Sequence, residues 1–333
     1  MSWNKKFRFL FTTILVSILV SSVAACGAPI APNTEITTIR YGGQLYPEDY
    51  LLKGEPKFWT DQGITVEHVL YSSGTENSQA LISGNADIIS GSDSKVVALF
   101  GAIPDQALII GVAQRGDRYS TIVAGDSNFT TWYELKGKKI AIRLGTGAEQ
   151  VVRRYFEIAG DLKWEDFQWV NMKVEDMGAA LADKSIDAFT AWEPTPAIAE
   201  AKGIGRVMLS YGDVALTPVL YVTTRKYAET HRAEIIRFLA AQLQKADLIK
   251  NDPITAARIA AGAASSSGSD VSPDTFEKIF RRVDFSITLD DAVLSSIDDT
   301  AAFLLGIGEI DAIPVIKSDS SFLEEAQKLV NRK

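Results

Sequence analysis

Short runs of β-branched and apolar residues, each followed by a turn and often by a helical stretch, constrain this chain more than any other feature. The runs fall at Thr38–Tyr41, Ile64–Leu70, Asp87–Ser90, Ala107–Val112, Thr121–Ala124, Lys139–Arg143, Gln168–Asn171, Asp187–Thr190, Arg206–Leu209 and Val219–Thr223. Helical patterns at Glu76–Ser83, Lys95–Phe100, Gly147–Ala159 and Pro194–Lys202 lie between several of them. Strand and helix in alternation predict an α/β fold with largely parallel sheets. From Lys226 onward the pattern is mostly helical, broken at Asn251-Asp252-Pro253, Ser265–Ser269 and Ile313-Pro314. Inside the alternation one stretch echoes another: Ala80–Ser90 reads ALISGNADIIS and Ala180–Thr190 reads ALADKSIDAFT. Each gives a helix end, a turn, an aspartate and an apolar strand. Two similar α/β lobes would enclose a ligand cleft outside the carboxyl ends of their strands, although ordinary αβ units carry the same pattern.

The N-terminal segment has a different logic. Lys5, Lys6 and Arg8 precede the apolar stretch Phe9–Val20, and small residues follow. This is the layout of an export signal, too short and wrongly flanked for a membrane-spanning helix. Val23-Ala24-Ala25-Cys26 resembles the bacterial lipobox, and Cys26 is the chain's single cysteine, with no disulfide partner. We therefore expect a lipoprotein signal peptide at 1–25, lipidation of Cys26, a polar tether at 26–37, and a protein held by lipid on the extracytoplasmic face of the cell membrane. Without residues 1–25 the chain keeps 31 basic and 42 acidic residues, a formal charge of −11. Such an acidic chain is a poor candidate for nucleic acid.

Several segments resemble one family. Phe58–Val66 (FWTDQGITV) is similar to its aromatic, acidic, G-L-x-V signature, and Leu81–Asp87 to its L-x-x-G-x-x-D turn. Glu134–Ala141 (ELKGKKIA), Ala188–Pro194 (AFTAWEP) and Asp252–Ala261 (DPITAARIAA) resemble its later motifs in the same order. The family is that of the bacterial solute-binding proteins for sulfonates, taurine, nitrate and thiamine-pyrimidine precursors, the NMT1/THI5-like proteins. The resemblance implies a two-lobed periplasmic-binding-protein-like fold with two crossing strands as its hinge. It places lobe 1 at 38–120 and 222–333, and lobe 2 at 121–221. It also implies a protein that delivers a small molecule to an ABC permease with a cytoplasmic ATPase; we expect it to be a monomer and to need no cofactor.

Loops after strands supply the candidate ligand contacts. They are Gln44 and Tyr46 after the first strand, Ser73 and Ser92 before helices, and Thr146 in the Gly145-Thr146-Gly147 turn. Hydroxyls and free N–H groups at helix starts suit a carboxylate, sulfonate or carbonyl, though capping alone explains them too. Trp192 offers a flat face and Glu193 an acceptor; Tyr119 and Tyr211 stand beside the expected crossings. Arg115 reads as a solvated loop arginine with a second reading as an anion partner. Catalytic motifs are missing: His68 and His231 are the only histidines, and neither H-E-x-x-H, G-x-S-x-G nor a P-loop occurs. A pyrimidine-synthase-like enzyme is the rival class, and its cysteine-rich motif is absent. The aromatic residues and Glu193 lean the ligand toward a flat vitamin-type heterocycle, riboflavin or a thiamine pyrimidine, with an aliphatic sulfonate, taurine or nitrate as the alternative.

Overall fold

A computed structural model describes residues 38–331. The expected lipidation site at Cys26, the signal and the tether lie outside the described residues. Among the described residues, no helix is long and apolar enough to cross a membrane.

Two five-stranded sheets organise the chain. The first contains β1 (Thr38–Gln44), β2 (Thr65–Tyr71), β3 (Ile88–Ser92), β4 (Ala107–Gln114) and β10 (Val219–Thr224), in the order β2-β1-β3-β10-β4. The second contains β5 (Tyr119–Ala124), β6 (Lys139–Ile142), β7 (Gln168–Asn171), β8 (Ala188–Trp192) and β9 (Gly205–Ser210), in the order β7-β6-β8-β5-β9. Each is parallel on one side, and in each the fourth position is a strand antiparallel to both neighbours: β10 in the first, β5 in the second. The two lobes therefore share one topology.

The sequence echo falls on equivalent units of the two lobes and does identical work in each. Asn85 and Ala86 donate back to the Ala80 carbonyl, as Ser185 and Ile186 do to that of Ala180. The turn residues Gly84 and Lys184 both adopt left-handed backbone, with φ of 72° and 61°. The aspartate then clamps the neighbouring parallel strand at its start. Asp87 accepts the Arg40 backbone N–H at 2.8 Å, and Asp187 accepts that of Lys139 at 2.9 Å.

In the first lobe β1, β2 and β3 lead into α1 (Pro47–Gly54), α2 (Lys57–Thr60), α3 (Gly74–Ile82) and α4 (Asp93–Ala102). In the second, α5 (Gly147–Ala159), α6 (Val174–Ala182) and α7 (Thr195–Ala201) follow β6, β7 and β8. The chain then returns through β10 to the first lobe and adds α8 (Arg225–Thr230), α9 (Arg232–Asn251), α10 (Pro253–Ser266), α11 (Pro273–Arg282), α12 (Asp291–Gly306) and α13 (Ser321–Val330). The break read at Asn251-Asp252-Pro253 is the α9–α10 junction, where the Asp252 carboxylate caps the Thr255 N–H at 3.0 Å.

Helices cover both faces of each sheet. Strand β10 makes this visible: Val219 and Tyr221 enter the core layer with α1, α9 and α10, while Leu220 and Val222 enter the layer with α4 and α12. The lobe boundaries expected near 120 and 222 fall inside strands. Tyr119 and Ser120 already pair with β8, and Val219–Tyr221 pair with β3, because each strand keeps its ladder within one sheet. The chain thus passes from one sheet to the other within the segments 115–118 and 211–218, the second of which begins against the second lobe.

Candidate functional site

Parallel strands end on one side of each sheet, and the helices that follow begin there. The two lobes turn these edges toward each other around a cavity of about 810 Å³. Six helices bring their N-cap residues to its wall: Tyr46 for α1, Ser73 for α3, Ser92 for α4, Thr146 for α5, Lys173 for α6 and Pro194 for α7. Each helix start carries unsatisfied N–H groups and the positive end of its dipole. Three starts from each lobe converge on one space.

The caps themselves are ordinary. Ser73 accepts the Glu76 N–H at 3.2 Å, and Thr146 accepts that of Ala148 at 3.3 Å while donating to the Arg143 carbonyl at 2.6 Å. Gln44 is nearly buried; its amide donates to the Ser90 carbonyl at 3.1 Å, and its backbone N–H donates to Asp49 at 2.8 Å. Tyr119 approaches the start of α5 so closely that a Cβ on Gly147 would stand 2.3 Å from its hydroxyl, which only glycine permits. Trp192 closes β8 with its ring edge-on to Tyr119 at a centroid distance of 6.2 Å.

Formal charge reinforces the dipoles. Lys95, in the first turn of α4, and Arg143, at the end of β6, line the cavity from opposite lobes. Burial lowers the Lys95 pKa, Glu309 raises it and the Arg143 charge lowers it further. Lys95 Nζ donates to the Gly145 carbonyl across the cleft at 3.4 Å. Glu76, Glu175 and Asp270 also line the cavity; the Glu76 carboxylate is engaged by the Ser72 hydroxyl at 2.8 Å. Leu45 and Leu144, both partly exposed, add apolar surface.

Seven of the residues named from the sequence line this cavity: Gln44, Tyr46, Ser73, Ser92, Tyr119, Thr146 and Trp192. Two do not. Glu193 is buried away from it, its carboxylate paired with Arg282 of α11 and accepting the Ala197 N–H at 3.2 Å. Burial pushes its pKa up to about 7 against the lowering influence of Arg282. Tyr211 lies in the second lobe's core, its hydroxyl 2.6 Å from Thr121 Oγ1 and accepting the Trp132 indole N–H at 3.2 Å. Arg115 does not line the cavity; partly exposed, it is clamped by Asp284 at 2.8 Å and Asp290 at 2.7 Å. Sequence reading missed Lys95, Arg143 and Lys173. The available signal was positional, since each stands at a strand's carboxyl end or in the first turn of the helix that follows.

The model of the family described as NMT1/THI5 like matches residues 51–256. A candidate aliphatic sulfonates-binding protein of Escherichia coli (strain K12) is 28% identical over 237 residues, covering 71% of this chain and 72% of that protein. Among solved structures, the periplasmic aliphatic sulphonate binding protein SsuA from Escherichia coli superposes with a TM-score of 0.73 at 22% identity, covering 87% of this chain and 91% of that one. The periplasmic nitrate-binding protein NrtA from Synechocystis PCC 6803 does so with a TM-score of 0.69 at 13% identity, covering 90% of each chain. These likenesses show the fold, two α/β lobes of the periplasmic-binding-protein type.

Proposed function

Since the chain belongs to the NMT1/THI5-like family, we propose that it is the solute-binding component of an ABC importer, and that its cleft captures an organic oxoanion of the sulfonate class. The convergence of six helix N-termini with Lys95 and Arg143 on one cavity carries this reading. A tetrahedral head with three acceptor oxygens uses N–H donors from several directions at once, and each helix start favours negative charge. The cavity exceeds what a nitrate-sized ion fills and lies within the roughly 300–1,000 Å³ range of sites for larger organic molecules. Tyr46, Trp192, Leu45 and Leu144 then cover a carbon skeleton.

This reading replaces the flat heterocycle to which the sequence leaned. Glu193 and Tyr211 were part of that case, and neither reaches the cavity. The names of the Escherichia coli and Bacillus subtilis relatives, moreover, speak of aliphatic sulfonates. Titration calorimetry of the purified chain with short-chain alkanesulfonates, nitrate, riboflavin and a thiamine pyrimidine tests the reading. Alkanesulfonate should bind and riboflavin should not; tight riboflavin binding without sulfonate binding would reverse the conclusion.

The same proposal includes lipid anchoring through Cys26 and delivery of cargo to a membrane permease with a cytoplasmic ATPase. Fatty-acid labelling of cells should mark the wild type and not Cys26→Ser. Equal labelling of the two would remove the anchor.

A further inference from the structure

Resting on the sulfonate-class reading above, we propose that Arg118 is the positioning residue that makes the cleft selective for an anionic head, acting through Tyr119. Arg118 ends the first passage between lobes, and its carbonyl accepts the Glu193 N–H at 2.9 Å, fixing it to the second lobe's cavity edge. Its side chain is 1% exposed. The guanidinium carbon lies 4.6 Å from the Tyr119 ring centroid and 5.6 Å from that of Tyr46. One of those rings belongs to each lobe, and both line the cavity.

What sets this arginine apart is its unspent bonding capacity. Arg40 pairs with Asp87, Arg115 with Asp284 and Asp290, and Arg282 with Glu193. Among the described residues the Arg118 side chain makes a single hydrogen bond, from Nη2 to the Tyr119 hydroxyl at 2.9 Å, and its Nε has no partner. Asp93 and Glu48 act on it electrostatically without accepting a hydrogen bond from it. Asp93 is engaged by Thr300 at 2.8 Å and by the Ser94 N–H at 2.9 Å, and neither Glu48 oxygen has a hydrogen-bond partner among the described residues. A buried cation without a bonded counter-ion is costly, and a ligand's negative charge relieves that cost.

The route to the ligand is explicit. The Tyr119 oxygen accepts from Arg118, so its own O–H is left to donate into the cavity beside the start of α5. The cation behind it makes that phenol a stronger donor. Because the Arg118 backbone is bonded to the second lobe, its charge stays beside Tyr119 as the lobes approach each other.

The experiment compares butane-1-sulfonate with butane-1-sulfonamide, which shares the carbon body and lacks the charge, by calorimetry on the full chain. The wild type should prefer the sulfonate by at least about tenfold. Arg118→Met should cost the sulfonate about tenfold or more and the sulfonamide less than about threefold, so that the preference collapses. Arg118→Lys, which keeps a charge but not the planar fork, should fall between the two. A folded Arg118→Met protein with an unchanged preference overturns the proposal. If that variant fails to fold, a preference in Arg118→Lys equal to wild type does so instead. Wild-type protein that binds neither probe, or both equally, overturns the sulfonate-class reading itself and with it this inference.

Discussion

Trp192 is where ligand contact and lobe packing meet at a single residue. It lines the cavity and also packs against the cores of both lobes. Trp192→Ala should lower sulfonate affinity by about tenfold or more, because lost aromatic burial is worth a few kcal/mol. Trp192→Phe should retain most of it. A folded alanine variant with unchanged affinity, measured by calorimetry, would assign Trp192 to packing alone. At this scale the sequence was legible where chemistry is local. A serine or threonine between a strand and a helix announces a cap, and Ser73, Ser92 and Thr146 all stand at the cavity. It was illegible where a partner is distant. Nothing near Glu193 signals Arg282, 89 positions away, and nothing near Tyr211 signals Thr121, 90 positions back. Arg115 and Arg118 are alike on paper; only the fold gives one of them two hydrogen-bonded carboxylates and leaves the other with none bonded.

At the scale of elements, α1 buries two acids in its first turn, Glu48 and Asp49. Glu48, in its first turn, is fully buried, and burial with Asp49 alongside pushes its pKa from 4.5 up to about 8. Lys245 of α9, donating to the Tyr221 hydroxyl at 3.0 Å, is lowered by burial from 10.5 to about 8. The folded state therefore holds a proton on Glu48 that the unfolded chain has released, so this group's contribution to stability falls as pH rises from about 4.5 to 8. Lys245 acts in the next window with the opposite sign. The folded state has released a proton that the unfolded chain keeps, so its contribution rises from about pH 8 to 10.5. Denaturant midpoints across pH should show the decline in wild type and a flatter course in Glu48→Gln; identical profiles would place the titration elsewhere. Most elements were readable, since each strand–turn–helix unit is encoded by adjacent residues, as the echo at Asp87 and Asp187 shows. The order of strands was not, because β10 is added between β3 and β4 from far along the chain.

Over the whole molecule, a few contacts tie the lobes together. Gln150 of α5 donates to Thr300 of α12 at 2.7 Å, and Thr300 donates to Asp93 of α4 at 2.8 Å. Close by, Arg154 pairs with Asp299 at 3.0 Å. Thr300→Val keeps the shape but strands two buried polar groups, at a cost of about 1–3 kcal/mol each. Its unliganded radius of gyration by small-angle scattering should exceed the wild-type value, and sulfonate should reduce it. A radius unchanged from wild type would show that these bonds do not govern the lobes. The strand order carries one more consequence, for how the molecule is made. Synthesis from the N-terminus delivers β3 and β4 early, but the strand that joins them, β10, begins only at Val219. Between Gln114 and Val219 the ribosome adds about a hundred residues while two apolar strand edges wait for each other. Unpaired edges of this kind seed aggregation. The second lobe, encoded without interruption in that interval, can complete itself first, so the nascent chain passes through a stage with one finished half and one open one.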